Sequence, residues 1–146
     1  MKLLVEKICA DAKLPTRGSS SAAGYDLYAC IQEDGIVIKP HDNAMIGTGL
    51  KIAIPAGYFG AVFARRGLAS REGLRPANCV GVCDSDYRGE YTVCIYNDSD
   101  EERLIFSGDR IAQLVVLPCQ DIEFQVVSAL NDTERGADGF GSTGKS

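Results

Sequence analysis

The sequence predicts an all-β fold, and two patterns carry that prediction. Short β-prone runs recur along the chain, each bounded by Gly, Pro, Asn or Asp, which end strands and form turns. The runs read AGYDLYA, GIVIKP, AMIGTGLKIAIP, GYFGAVFAR, YTVCIYN and RIAQLVVLP. A single short segment has helical spacing instead. Strands spaced this way are typical of a sandwich, a jelly roll or a barrel.

The chain is predicted to form one β domain over residues 1–130, followed by a flexible arm over 131–146. A length of 146 residues suits one domain with a core of its own. No apolar run approaches the roughly 18 residues that a membrane span needs, so we expect no contact with a membrane. From Asn131 onward the apolar pattern stops, and the remaining segment has too little hydrophobic surface to fold alone.

Two segments inside the domain have clear local signals. Residues 90–96 contain β-branched and aromatic side chains in near-alternation, which predicts a strand, and NDSDEE after them predicts a polar turn. The segment GLASREGL, from Gly67 to Leu74, consists mostly of good helix formers and is predicted to be the short helix.

Charge and cysteine usage limit the class of protein. A net charge of −5 argues against binding duplex nucleic acid through a broad basic face. Glu6 and Lys7 interrupt the first apolar run before it reaches the length of a signal peptide. The six cysteines are therefore expected to stay reduced in a cytoplasmic protein. With His41 as the only histidine, a structural zinc site has too few well-spaced ligands.

Four arginines fall within the segment ARRGLASREGLR, from Ala64 to Arg75. Guanidinium groups suit phosphate because their fixed fork of donors binds two oxygens at once. For an arginine cluster by itself, a solvated charged face is the more common alternative.

An acidic pair follows in NCVGVCDSDYRGEYTV, where Asp84 and Asp86 flank a serine and Tyr87 comes next. In a strand, alternation would place both carboxylates on one face, whereas a turn or bulge would re-aim them. Such a pair binds Mg²⁺, orients a water or caps a turn, and turn formation is the commonest of these roles.

The C-terminal segment RGADGFGSTG combines glycines with hydroxyls and one aromatic ring, that of Phe140. Exposed backbone N–H groups can wrap an oligophosphate, and an aromatic ring can stack on a base. The segment does not match the Walker A pattern. A disordered tail is the alternative.

Five segments, in order, resemble the motifs of the trimeric dUTP pyrophosphatases (dUTPases). They are AGYDLYA, ARRGLAS, GVCDSDYRGEY, GDRIAQLV and RGADGFGSTG, and together they cover nearly the whole chain. The resemblance implies a distorted jelly-roll-like β subunit with one short helix. It also implies a homotrimer whose three active sites lie at subunit interfaces, each closed by a C-terminal arm.

The implied activity is hydrolysis of dUTP to dUMP and pyrophosphate, which keeps uracil out of DNA and supplies dUMP for thymidylate synthesis. By this resemblance Asp84 is the catalytic residue that activates the water attacking the α-phosphorus. Tyr87 would lie under the deoxyribose and exclude a 2′-hydroxyl. Asn78 and the hairpin backbone around Gly81 would contact uracil.

The remaining implied residues hold the triphosphate and a metal ion. Arg65, Arg66 and Gly67 of the second motif and Gln113 of the fourth would lie on the phosphates. In the arm, Phe140 would stack on uracil. The arm residues placed on the phosphates are Arg135, Gly141, Ser142 and Thr143. The resemblance implies Mg²⁺ as cofactor, and Asp26 would hold either Arg65 or a metal-bound water.

Two positions depart from the family pattern. Arg66 stands where the family usually has serine, and Asp138 replaces a frequent glycine. Arg66 leaves open a second hypothesis, a catalytically impaired, dUTPase-like nucleotide-binding regulatory protein, for which Arg66→Ser would restore turnover. A related dCTP deaminase fits less well, because the hairpin DSDYRG is retained.

Overall fold

The computed structural model describes residues 1–32 and 34–137 of the chain. Within them lie eleven strands and one helix. In chain order these are β1 (Leu4–Lys7), β2 (Tyr25–Tyr28), β3 (Ile36–Ile38), β4 (Asn43–Gly47), β5 (Leu50–Ala53), β6 (Tyr58–Phe63), α1 (Arg66–Glu72), β7 (Leu74–Pro76), β8 (Val80–Cys83), β9 (Thr92–Asn97), β10 (Arg103–Ile105) and β11 (Arg110–Pro118). The predicted all-β class is confirmed.

The strands form two larger sheets and two pairs, and every pairing is antiparallel. The four-stranded sheet has the order β2-β11-β6-β8, and the three-stranded sheet has the order β4-β9-β7. Strand β1 pairs with β5, and β10 pairs with β3. Neighbours in the larger sheets lie far apart in sequence, so the fold depends on long-range pairing.

Aliphatic side chains from nearly all of these strands meet in one core. Its fully buried members include Leu27, Ile46, Leu50, Ile95 and Ile111. Burying a side chain of this size contributes roughly 1.5–3 kcal/mol relative to leaving it exposed. The core is therefore the main source of the stability that holds the site loops in place.

The single short helix forms, with a correction to its end. It spans Arg66–Glu72, and Gly73 closes it in the left-handed conformation, at φ 70°, with its N–H donating to the carbonyl of Leu68. The predicted extension to Leu74 is wrong. Leu74 begins β7 and is buried in the core, because the left-handed glycine redirects the chain into the sheet.

Four strands, β1, β7, β8 and β10, have no counterpart among the predicted β-prone runs. Strands β7 and β10 have three residues each, too few for alternation to be recognised. Strand β1 is largely exposed, and it forms a strand because it pairs with β5. These strands are products of tertiary pairing.

The described strands end at Pro118, and residues 119–137 lie outside regular elements. The large apolar side chains in this segment are exposed, from Val127 at 52% to Val126 at 96%. The boundary placed at residue 130 stays a prediction. Among the described residues, no helix has the length and apolar character needed to cross a membrane.

Asn97 is a buried polar residue that joins several loops at the end of β9. Its amide nitrogen donates to the carbonyls of Ile38, Lys39 and Glu101 at 3.0, 3.2 and 2.7 Å. Its amide oxygen accepts from the N–H and the hydroxyl of Ser99 at 3.0 and 2.7 Å. One side chain thus satisfies backbone groups from two different loops.

We predict that Asn97→Ala lowers the free energy of unfolding by roughly 3 kcal/mol, because it leaves buried carbonyls without donors. Urea denaturation followed by far-UV circular dichroism measures the change. Asn43→Ala is the matched control, since the Asn43 side chain only accepts a weak hydrogen bond from the Cys94 thiol. A loss in Asn97→Ala no larger than in the control would contradict the structural role.

Candidate functional site

A cavity of about 300 Å³ opens between the edge of the four-stranded sheet and the three-stranded sheet. Strand β8 and the turn after it form one wall, and residues of β4 and β9 form the other. Four residues proposed from sequence line it: Asn78, Gly81, Asp84 and Tyr87. The third motif therefore forms one side of a pocket.

Asp84 lies immediately after β8, at the first position of a tight turn. The N–H of Tyr87 donates to the Asp84 carbonyl at 3.2 Å, and Arg88 Nη1 donates to the carbonyls of Ser85 and Tyr87, both at 2.8 Å. Strand alternation does not apply to Asp84 and Asp86, because the turn re-aims both. The Asp84 carboxylate is exposed and has no ion-pair partner within the described part of the chain.

The Tyr87 ring is fixed from three sides. Its hydroxyl donates to the Glu90 carbonyl at 3.0 Å, and its ring packs against that of Tyr91 with a centroid separation of 6.1 Å. A Cβ at Gly89 would lie 2.3 Å from the Tyr87 hydroxyl oxygen. Only glycine at position 89 leaves room for this ring position.

Tyr91 and Glu90 connect this turn to the core. Tyr91 is 3% exposed, and burial raises the pKa of its hydroxyl. Burial likewise raises the pKa of the neighbouring Cys83 thiol. The Glu90 carboxylate accepts from the N–H of Gly49 at 2.7 Å, in the connection between β4 and β5. The turn is thereby held by a contact from a distant part of the chain.

A second group of predicted site residues surrounds Asp26 on β2. Arg65 Nε and Arg110 Nη1 approach the two carboxylate oxygens of Asp26 at 2.8 and 3.3 Å. The Asp26 side chain is 14% exposed, so the carboxylate holds both guanidinium groups near the surface without being freely solvated. Gln113 Nε2 donates to the carbonyl of Ala64 at 2.9 Å, which ties β11 to the segment carrying Arg65.

Within the four-stranded sheet, Gly81 faces the side opposite to Asp26 and Gln113. Asp26 is paired with Gln113, and Val62 is paired with both Leu114 and Gly81. Because successive residues of a strand face opposite sides, Gln113 and Leu114 point apart. The cavity lining brings Asn78, Gly81, Asp84 and Tyr87 together and does not include Asp26, Arg65 or Gln113.

Three further predicted site residues, Arg66, Gly67 and Arg135, lie away from this cavity. Arg66 and Gly67 begin α1, are exposed, and lie outside the cavity lining. Arg135 is exposed beside a turn in which the Gly136 N–H donates to the Thr133 carbonyl at 3.0 Å. Asp138, Phe140, Gly141, Ser142 and Thr143 lie outside the described residues.

Sequence reasoning did not single out Arg110, Glu90 or Tyr91. Arg110 stands in the GDRIAQLV motif, three residues before Gln113. Its place in that motif is the feature of the sequence that could have identified it. Glu90 and Tyr91 close the third motif, but their contacts with Gly49 and Tyr87 could not be read from the sequence. All three support residues that the motifs did identify.

The described residues offer Mg²⁺ little direct protein coordination. No group of three or more His, Cys, Asp or Glu side chains that could hold a metal occurs within residues 1–32 and 34–137. Both oxygens of Asp26 already face guanidinium groups. Of the two roles expected for Asp26, contact with Arg65 is present in the structure.

Together these features define a class of protein: an all-β domain with a cavity of small-molecule size, lined by both polar and apolar side chains, and a separate pair of guanidinium groups suited to an anion. The dUTPase family model matches residues 10–144. A deoxyuridine 5′-triphosphate nucleotidohydrolase of Hydrogenobaculum sp. is 43% identical over 144 residues, covering 99% of each chain.

Solved structures agree with this match. The dUTPase of Staphylococcus bacteriophage 80alpha with dUPNHPP superposes with a TM-score of 0.89 at 29% identity, over 99% of each chain. A variant dUTPase from phage phi11 of S. aureus, described with a structural Mg(II) ion, gives a TM-score of 0.81 at 25% identity, over 90% of this chain and 100% of that one. The chain belongs to the dUTPase family.

We predict that Gly89→Ala displaces the Tyr87 ring while the fold stays intact, because the new methyl group would overlap that ring. Aromatic NMR measures the effect as loss of the cross-relaxation between the Tyr87 and Tyr91 rings. Gly18→Ala is the control, since a Cβ there meets nothing within 4 Å. Retention of the ring contact in Gly89→Ala would refute the predicted overlap.

Proposed function

We propose that this chain hydrolyses dUTP to dUMP and pyrophosphate, with water attacking the α-phosphorus. One observation carries the proposal beyond family membership. An exposed carboxylate, Asp84, stands without an ion-pair partner in the described chain, at a cavity that Asn78 and Tyr87 also line. A carboxylate placed this way accepts a hydrogen bond from water and can take its proton.

Asp84 is the proposed general base. The turn bonds of Tyr87 and Arg88 use backbone carbonyls rather than the Asp84 side chain. The carboxylate therefore keeps its accepting capacity for the attacking water. It would orient that water towards the α-phosphorus and accept a proton as the new P–O bond forms and pyrophosphate leaves.

Tyr87 is proposed to select the deoxyribose. Tyr87 is 44% exposed, so part of its side chain remains available as an apolar surface for the sugar. Because Glu90 and Tyr91 fix its position, the ring cannot easily retreat to admit a 2′-hydroxyl. UTP would then be rejected by a steric conflict.

Asn78 and the backbone of β8 are proposed to recognise uracil. A Cβ at Gly81 would meet Val62 Cβ at 3.3 Å and Asn78 Nδ2 at 3.5 Å, so glycine keeps the amide and the backbone accessible. Polar groups matched to uracil would be left unpaired by cytosine, which disfavours dCTP. Thymine, and therefore dTTP, would be excluded because its methyl group at C5 would clash with the pocket.

The triphosphate is proposed to meet Arg65, Arg66, Gly67 and Gln113. Asp26 supports this by pre-positioning the Arg65 guanidinium, which lowers the entropy lost on binding. Mg²⁺ is the proposed cofactor and supplies neutralisation of phosphate charge. It binds mainly through substrate phosphates and water, so Asp26 would contact it only through a water molecule.

A homotrimer with shared active sites is proposed as the working form. Asp26, Arg65 and Gln113 do not line the Asp84 cavity, so a second copy would supply phosphate ligands to it. Exposed apolar side chains at Ile122, Phe124 and Val126 alternate along the segment after β11, as expected for a segment that pairs with another subunit. The arm with Arg135, Phe140, Gly141, Ser142 and Thr143 would close over a neighbouring site.

The regulatory alternative has no support from the curated relatives, which are named as nucleotidohydrolases. Arg66 is exposed at the start of α1, where a flexible guanidinium can contact phosphate without being buried. We therefore retain hydrolysis as the proposed activity. A cytoplasmic location, where dUMP would feed thymidylate synthesis, is part of the same proposal.

Pyrophosphate release with Mg²⁺ from dUTP, dCTP, dTTP and UTP tests the activity. We expect turnover of dUTP alone, its loss on chelation of Mg²⁺, and a decrease of about 100-fold or more in Asp84→Asn, because the general base is removed. Asp86→Asn is the matched control from the same turn and should keep most of the rate. No pyrophosphate from any of the four nucleotides would reject the proposed function.

Mixed trimers test the shared site. Asp84→Asn and Arg65→Ala should each be inactive, and refolding them together should restore about a quarter of the sites, since an intact site can draw each residue from a different chain. Each variant refolded alone is the control, and light scattering first establishes that trimers form. A mixture as inactive as its components would indicate sites built within one chain.

A further inference from the structure

Two cysteines outside the candidate site lie against each other at the connection between β4 and β5. Gly49 stands there in the left-handed conformation, at φ 67°. A Cβ at this glycine would lie 2.9 Å from Cys30 Sγ and 3.0 Å from Cys9 Cβ. These two atoms are therefore no more than about 6 Å apart, and a hydrogen bond joins the two thiols, so rotation of the side chains can bring the sulfurs together.

Backbone hydrogen bonds hold both cysteines at this place. The N–H of Ile8 donates to the Gly49 carbonyl at 2.9 Å, and the N–H of Cys30 donates to the Gly47 carbonyl at 2.8 Å. The Cys9 carbonyl accepts from the N–H of Ala12 at 3.2 Å, which closes a turn. The segments after β1 and after β2 are thus fixed to the same connection.

The environments of the two thiols differ in a way that gives them different roles. A hydrogen bond from Cys30 lowers the pKa of the Cys9 thiol. The amide of Gln32 also donates to Cys9 Sγ at 3.2 Å, which favours the thiolate. Burial raises the pKa of Cys30 to about 11. Cys9 is the better nucleophile of the two, and Cys30 is a protonated neighbour.

We propose that Cys9 and Cys30 form a reversible disulfide when the protein meets a peroxide. The Cys9 thiolate attacks one oxygen of hydrogen peroxide, which gives a sulfenic acid at Cys9 and releases hydroxide. The Cys30 sulfur then attacks the Cys9 sulfur, loses its proton, and displaces the sulfenic oxygen as water. The two sulfurs are oxidised by two electrons in total, and the peroxide is reduced to water.

The other four cysteines have different surroundings. Cys94 donates weakly to Asn43 Oδ1, Cys119 to the Gln120 carbonyl, and Cys83 faces Tyr91. Cys79 is exposed after β7. The pair at Gly49 is therefore the specific target, and its proposed bridge does not depend on which reaction the chain catalyses.

The test is oxidation of the full chain with hydrogen peroxide, followed by alkylation, intact mass measurement and non-reducing peptide mapping. We expect a loss of two hydrogens and one cross-linked peptide joining Cys9 to Cys30, both reversed by a dithiol reductant. Cys9→Ser and Cys30→Ser should not form the bridge. Cys119→Ser is the matched control and should form it fully.

Trapping with dimedone tests the order of the two steps. Cys30→Ser should accumulate the adduct at Cys9, whereas Cys9→Ser should label Cys30 at least several-fold more slowly, because Cys30 lacks thiolate character. Oxidation that gives no Cys9–Cys30 peptide, or a bridge to Cys79 or Cys119 in its place, would overturn the proposal. If dimedone labels Cys30 in Cys9→Ser as fast as it labels Cys9 in Cys30→Ser, the assigned roles are overturned.

Discussion

The antiparallel register of β6 with its two neighbours is the constraint on which both groups of site residues depend. Pairing of Val62 with Gly81 positions the wall of the cavity, and pairing of Phe63 with Gln113 positions the other group. A slip of one residue would exchange the faces of the sheet and separate each group from its partners. The aliphatic core beneath the sheet makes such a slip unfavourable.

The positions of the side chains around the cavity are set by close contacts at glycines and by hydrogen bonds between residues distant in sequence. Gly89 allows the Tyr87 ring to lie over the turn, and Gly49 donates to the carboxylate of Glu90, 41 residues away in sequence. The same Gly49 provides the space in which Cys9 and Cys30 meet. One connection between two strands therefore supports both the candidate site and the thiol pair.

Positive charge is concentrated at one place in a molecule that is acidic overall. The chain carries a net charge of −5, yet the Asp26 carboxylate gathers two guanidinium groups at one edge of the sheet. A carboxylate between two arginines orients both without neutralising the pair, which leaves net positive charge for an anion. An acidic protein can in this way bind a polyphosphate without a broad basic surface.

The sequence by itself determined the all-β class, the short helix and the motif residues, because turn formers, alternating strands and the order of motifs are local properties of the chain. It could not determine the strands β7 and β10, the supports that Glu90 and Tyr91 give Tyr87, or the pairing of Arg110 with Asp26. Tertiary structure decided these, and it also decided that Asp26 and Gln113 lie on the face opposite to Val62 and Gly81. The physical reason is that register and close approach depend on residues distant in sequence, whose pairing only the folded core selects.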